Sequence, residues 1–164
     1  MGIKKVGVHP HQAMKFPPDG EIIFREWAVN TPVITDVCGT RIATRLPRNA
    51  DLPFLTFFVA GGTMLGPQGD ASIGNIVINV NAFAGRWGSG SGSQPDYATA
   101  LELANAVAEA AFKTGKTIVH TSTTSTKAVI YGFDIPEMPS RIEETETGLG
   151  HYELSLSMYY RGLD

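Results

Sequence analysis

The chain has 164 residues and a net charge of −3, from 13 Lys plus Arg against 16 Asp plus Glu, a length that suits one domain. At 43% hydrophobic and 18% charged it can bury a core without metal or disulfide staples, since a domain of about 150 residues hides roughly 70% of its unfolded surface, and whole-chain disorder is excluded. The lack of a Lys/Arg cluster argues against dedicated nucleic-acid binding, and the single cysteine, Cys38, rules out an internal disulfide framework and a cysteine-rich zinc site.

Residues 1–19 hold three prolines, three lysines, His9 and His11 without a periodic apolar face, and read as an extended arm. The start lacks the apolar stretch of a signal peptide, and runs such as Phe54 to Ala60 are too short to span a bilayer. The chain is therefore expected to be soluble, with its domain over 20–164. Asp19 stands where a helix N-cap belongs, with Glu21 in the first turn and Ile22, Ile23 and Trp27 on one side. That helix must stop before Pro32. A second short turn, Val33 to Cys38, should end at Gly39.

From Arg41 the pattern alternates, so Arg41 to Leu46 reads as a strand ending at Pro47, and Asn49 to Pro53 as a turn. Phe54 to Ala60 is strongly β-prone, with Gly61-Gly62 as its expected terminator and Gly61 to Gly74 as a long mobile hairpin tip. Ile76, Ile78, Val80, Ala82 and Ala84 then alternate with Asn79 and Asn81, the clearest period-two strand in the chain. After a Gly/Ser loop, Ser93 is the expected N-cap of a long helix, with Pro95 near its first turn. The helix should run to about Thr114, bury Tyr97, Leu101, Ala104, Val107 or Ala108, Ala111 and Phe112, and be capped by Gly115. Ile118 and Val119 open a Thr/Ser-rich stretch, Ala128 to Phe133 is a strand, and Tyr152, Leu154, Leu156, Met158 and Tyr160 mark a last amphipathic strand. The residues thus describe one α+β domain, strands outweighing one long and one or two short helices.

Candidate chemistry is sparse. Gly115-Lys-Thr117 resembles the tail of a phosphate-binding loop, but Ala110 stands where the pattern needs glycine, and Gly115 closes a helix instead of opening one. His9 and His11 lack further ligands nearby, and Cys38 has no cation closer in sequence than Arg41. Thr121 to Thr126 has no glycine elbow. Glu143, Glu144 and Glu146, even with Glu137, lack the spacing of a calcium loop. The Gly61 to Gly74 loop could hold an anion only by backbone, and Asp70 is its one titratable residue. No catalytic, cofactor or metal residue is expected. Arg86, Trp87, Tyr159 and Arg161 are of types enriched at protein interfaces and are the candidate contact residues.

The order of elements and several strings resemble a known family. The N-terminal helix, Arg41-Ile-Ala-Thr-Arg-Leu-Pro47, Leu52-Pro-Phe-Leu-Thr-Phe57 with Gly61-Gly-Thr63, the strand Ile76 to Ala84, the Ala/Leu-rich helix Tyr97 to Phe112 and the ending Tyr159-Tyr-Arg161 are similar to the tail terminator, or tail completion, proteins of long-tailed bacteriophages, especially actinobacteriophages. The similarity covers residues 20–162. It implies an α/β protein with a mostly antiparallel sheet flanked by helices, closing into a hexameric ring without enzymatic activity or cofactor. Such a ring caps the tail tube at the head-proximal end of the virion tail, stops tube polymerisation, and presents its other face to the neck or head completion protein. Genome DNA passes through without specific binding, and no membrane is involved. A neck connector or a tail tube protein is the alternative, and a small anion-binding enzyme the competing class.

Overall fold

The computed structural model describes residues 17–65, 73–88, 92–122, 124–143 and 146–163. The arm up to residue 16, the middle of the Gly61 to Gly74 loop with Asp70, part of the Gly/Ser loop and Glu144 lie outside the described residues. The elements are α1 (Gly20–Val29), α2 (Pro32–Cys38), β1 (Ile42–Ala43), β2 (Phe54–Leu65), β3 (Ile73–Arg86), β4 (Gln94–Pro95), α3 (Tyr97–Lys113), β5 (Thr117–His120), β6 (Lys127–Asp134), β7 (Ser140–Arg141) and β8 (Gly150–Leu163). They form one α+β domain around a curled sheet of order β1-β2-β3-β8-β6-β5, with β4 beside β3 and β7 beside β8. Among the described residues only the β1–β2 pair is parallel, and the other pairs are antiparallel.

The N-terminal helix starts as its sequence predicts, with the Asp19 carboxylate accepting from the Glu21 N–H at 2.9 Å. It buries Ile23, Phe24, Trp27 and Ala28, and Ile22 lies only half-buried at the edge of that face. Pro32 sits in the first turn of α2, and Gly39, at φ +60°, closes it. Phe24 is the centre of an aromatic cluster: its ring lies 5.4 Å from Trp27, 4.9 Å from Phe57 and 6.4 Å from Phe133, and Trp27 lies 4.6 Å from Phe133. One helix, β2 and β6 are thereby joined by edge-to-face and tilted ring contacts. The Trp27 indole N–H also donates to the Thr114 hydroxyl at 3.2 Å, which ties α1 to the end of α3.

Five expectations need correction. The strand expected over Arg41 to Leu46 is only Ile42–Ala43, because β1 pairs with just Leu55 and Thr56 before the chain turns back, with Asn49 in the left-handed region at φ +58°. Gly61-Gly62 does not end β2. The strand passes through both glycines to Leu65, with a bulge between Val59 and Gly61, and a Cβ at Gly62 would come 2.9 Å from the Asn75 carbonyl oxygen.

The other three concern α3. Its N-cap is Asp96, not Ser93: the Asp96 carboxylate accepts from Thr99 N–H at 3.0 Å, and Pro95 belongs to β4. Asp96 can sit there because the paired strand ends below it are notched. Its N–H donates to Ala84 carbonyl oxygen at 3.2 Å, and a Cβ on Gly150, the partner of Ala84, would lie 2.5 Å from the Asp96 carbonyl carbon. The buried face of the helix is Ala100, Leu103, Ala104, Ala106, Val107, Ala110 and Ala111, rotated from the expected one. Small side chains let the backbone settle onto β3 and β8, which turns Phe112 outward to 82% exposure and leaves Tyr97 and Leu101 half-buried. Thr114, not Gly115, is the C-cap, and its hydroxyl donates to the Ala110 carbonyl at 2.7 Å.

The two long alternating strands meet the expectation. Ile78, Val80, Ala82 and Ala84 of β3 and Leu154, Leu156, Met158 and Tyr160 of β8 are buried together beneath the helices. Tyr160 closes the far end of this core, donating its hydroxyl to the Pro18 carbonyl oxygen at 2.7 Å. Burial, and then the Asp19 carboxylate, push its phenol up to about 12. Since the unfolded phenol ionises near 10, the contribution of Tyr160 to stability should be constant below pH 10 and decline as pH rises towards 12. Tyr160→Phe should cost about 1 kcal/mol at pH 7 and flatten the decline, as measured by urea unfolding across pH 7 to 12.

Candidate interaction surfaces

The helices cover one face of the sheet, and among the described residues no helix covers the other. Strand alternation puts Thr56 and Phe58 of β2, Asn75, Val77, Asn79, Asn81 and Phe83 of β3, and the odd-numbered residues of β8 on that open face. Because Asn81 pairs across the strands with Glu153 and Asn79 with Ser155, amides, hydroxyls and the occasional ionisable group meet in rows. Ser155 Oγ donates to Asn79 Oδ1 at 2.9 Å, and His151 Nε2 meets Asn81 Oδ1 at 2.7 Å, the imidazole stacked 4.3 Å over Phe83. Thr56, Asn81 and His151 are buried by their neighbours, whereas Phe58 is 46% and Val77 37% exposed. Charges on the face include the carboxylates of Glu153, opposite Asn81, and of Asp134 on β6, opposite Ser157, with Arg161 near the end of β8.

Of the four expected contact residues, the structure brings Tyr159 and Arg161 together and sets Arg86 and Trp87 apart from them. Tyr159 and Arg161 are two positions apart on the open-face side of β8, near its end. The Tyr159 hydroxyl donates to Asp134 Oδ2 at 2.8 Å, and that hydrogen bond holds the phenol above its ordinary range. Arg161 Nε and, diagonally across on β3, Asn75 Oδ1 are buried and make no hydrogen bond. Arg86 and Trp87 are at the opposite end of the sheet, Arg86 exposed beside Gln94, and Trp87 half-buried with its indole N–H on the Ala50 carbonyl at 2.7 Å. Trp87 thus anchors the loop that precedes β2.

Sequence reasoning found Asn79 and Asn81 on the outer face but not their partners His151 and Ser155, which lie 70 and 76 residues away. It also missed the strand edges. Among the described residues, no strand lies beside the outer side of β2 beyond Thr56, and β5 ends the sheet at the other side. The Glu21 carboxylate reaches that bare edge of β2 and accepts from Val59 N–H at 3.3 Å.

The remaining candidates resolve into structure. Gly115-Lys-Thr117 leads from the end of α3 into β5, so no helix N-terminus faces it. Thr121, Thr124 and Thr126 satisfy one another in the turn before β6, with Thr121 and Thr124 hydroxyls 2.6 Å apart. Glu143 pairs with Arg141 at 2.8 Å, and that guanidinium stacks 3.6 Å from the Tyr97 ring. Among the described residues no group of three or more His, Cys, Asp or Glu is arranged to hold a metal ion. Cavities of about 350 Å³ between α1 and β5, where Glu26 and His120 face it, and about 580 Å³ between α2 and α3 open on the helical side.

Cys38 is fully buried, and burial pushes its thiol up to about 11 against the smaller opposing pull of Arg41. At pH 8 its alkylation in the folded protein should run about a hundredfold slower than that of a free thiol and recover in denaturant, as followed by mass spectrometry. Compared with known proteins, the chain matches no family model and no curated protein.

Proposed function

We propose that the chain is a structural subunit that closes into a ring, caps a bacteriophage tail tube, ends its polymerisation and joins it to the neck. The observation that supports this best is the open sheet face, whose centre presents Asn79, Ser155 and Ser157, with the carboxylates of Glu153 and Asp134 nearby, instead of lysines and arginines. A lining of amides and hydroxyls hydrates a passing polyanion without neutralising it. Each neutralised phosphate would add salt-dependent affinity and hold the DNA in place.

The edges supply a means of closure. If β5 of one subunit lies beside the bare part of β2 in the next, the contact is heterologous and hides both edges when the ring closes. The family resemblance carried by residues 20–162 points to six subunits, to the tube protein on one side and to a neck protein on the other. A neck connector or tube protein would use the same architecture with different partners.

Electron microscopy of the purified protein should show discrete rings, and its addition to polymerising tube subunits should arrest tube length. Tubes formed by this chain alone would favour the tube-protein reading, and unchanged tube growth would overturn the terminator reading. A charge on the face gives a second test. In a hexamer, Asn79→Lys with Ser155→Lys places twelve cations on the lining, so DNA retention should rise steeply at low salt with a log–log slope that grows by about −0.9 per phosphate engaged, whereas the unaltered ring should retain none. No gain on filter binding would mean that this face does not meet the DNA.

A further inference from the structure

The chain's −3 is unevenly divided. Residues 1–16 carry Lys4, Lys5 and Lys15 and no Asp or Glu, so the arm holds +3 and the rest of the chain −6. The same segment brings Ile3, Val6, Val8, Met14 and Phe16, so it is both basic and apolar.

A surface of the opposite composition lies on the helical side. The groove of about 580 Å³ between α2 and α3 has Val33, Val37, Ala98 and Leu101 along its floor, Val33 being 37% exposed. Asp36, Glu102 and Glu109 rim it. Lys113 pairs with Glu109, while Asp36 and Glu102 have no ion pair among the described residues. We propose that this groove receives the N-terminal arm of a neighbouring copy of the chain, its apolar side chains on the floor and Lys4 and Lys5 against Asp36 and Glu102.

Position selects a neighbour's arm over the chain's own. The arm joins the body at Pro17 and Pro18, which lie against Gly74 and Gly162 where β8 finishes. The groove begins at the other end of the sheet, because α3 starts where Asp96 rests on Gly150 and Ala98 and Leu101 are in its first turns. The 14 residues of β8 span about 46 Å at roughly 3.3 Å each, and 16 extended residues reach at most about 58 Å. An arm doubling back to its own groove would spend most of its reach in transit, whereas a head-to-tail contact brings one subunit's arm to the next subunit's groove. The proposal needs a second copy but not a phage tail, so its outcome and that of the tube-capping test are separable.

Disulfide trapping tests it in the full chain, where the one native cysteine, Cys38, is buried. Copies carrying Val6→Cys, mixed with copies carrying Asn105→Cys on the groove wall and oxidised mildly, should give a linked dimer in at least about tenfold excess over either alone. Lys4→Glu with Lys5→Glu should lower that yield about tenfold, the scale of two or three exposed charge pairs, and Asp36→Lys with Glu102→Lys in the partner should restore it. No excess dimer, a double-cysteine variant that links only within its own chain, or a charge swap that fails to restore the yield would each overturn the proposal.

Discussion

The contact between Phe24, Trp27, Phe57 and Phe133 holds the layers of this molecule together. Those rings come from α1, β2 and β6, elements at the near and far parts of the sheet, and Trp27 adds a hydrogen bond to the end of α3. Together with aliphatic residues such as Ile23, Leu55 and Ile130 they fill the core beside α1, whereas α3 contributes mainly alanines to it. The arrangement divides the work: aromatic side chains fix α1 at a distance, and small ones let α3 lie close. All of this apolar material is spent on one face, and the other mixes amides and hydroxyls with Phe58, Val77 and Phe83.

A bare sheet face with two open edges invites unwanted pairing, and the local chemistry limits it. On the β2 side the Glu21 carboxylate takes up the Val59 N–H, and the bulge after Val59 bends the strand. The β5 edge is only four residues long and includes the exposed Ile118. Such edges favour a defined neighbour over indiscriminate growth. The buried, unbonded Arg161 Nε and Asn75 Oδ1 add two groups whose hydrogen-bonding capacity is unspent on the same face.

Legibility in the sequence followed the range of the forces involved. Asp19 as cap, Pro32 and Gly39 around the second helix, and the alternation in Ile76 to Ala84 and Tyr152 to Tyr160 are short-range signals, and each matches the structure. The failures have tertiary causes. Gly61 and Gly62 read as terminators because their value is permission for β3 to approach, and nothing nearby in the chain announces β3. Asp96 displaced Ser93 because the notch at Ala84 and Gly150 exists only once β3 and β8 have paired. The polar rows on the open face depend on register between residues 70 and 76 positions apart, which no local pattern carries. Interface composition alone grouped Arg86 and Trp87 with Tyr159 and Arg161, although strand direction separates the pairs by the length of the sheet.

The position of β8 has a consequence for how the protein is made. It is the eighth strand in chain order, yet it occupies the middle of the sheet, bonded to β3 on one side and to β6 and β7 on the other. During synthesis the β1-β2-β3 and β5-β6 groups emerge first and have no backbone to join them. Each must wait with its inner edge and its half of the core open to solvent until residues 150–163 have left the ribosome. Folding is therefore a late, whole-sheet event with long sequence separations, and the interval before it, when two sticky half-sheets coexist on one nascent chain, is when this protein is most exposed to aggregation and most dependent on chaperones.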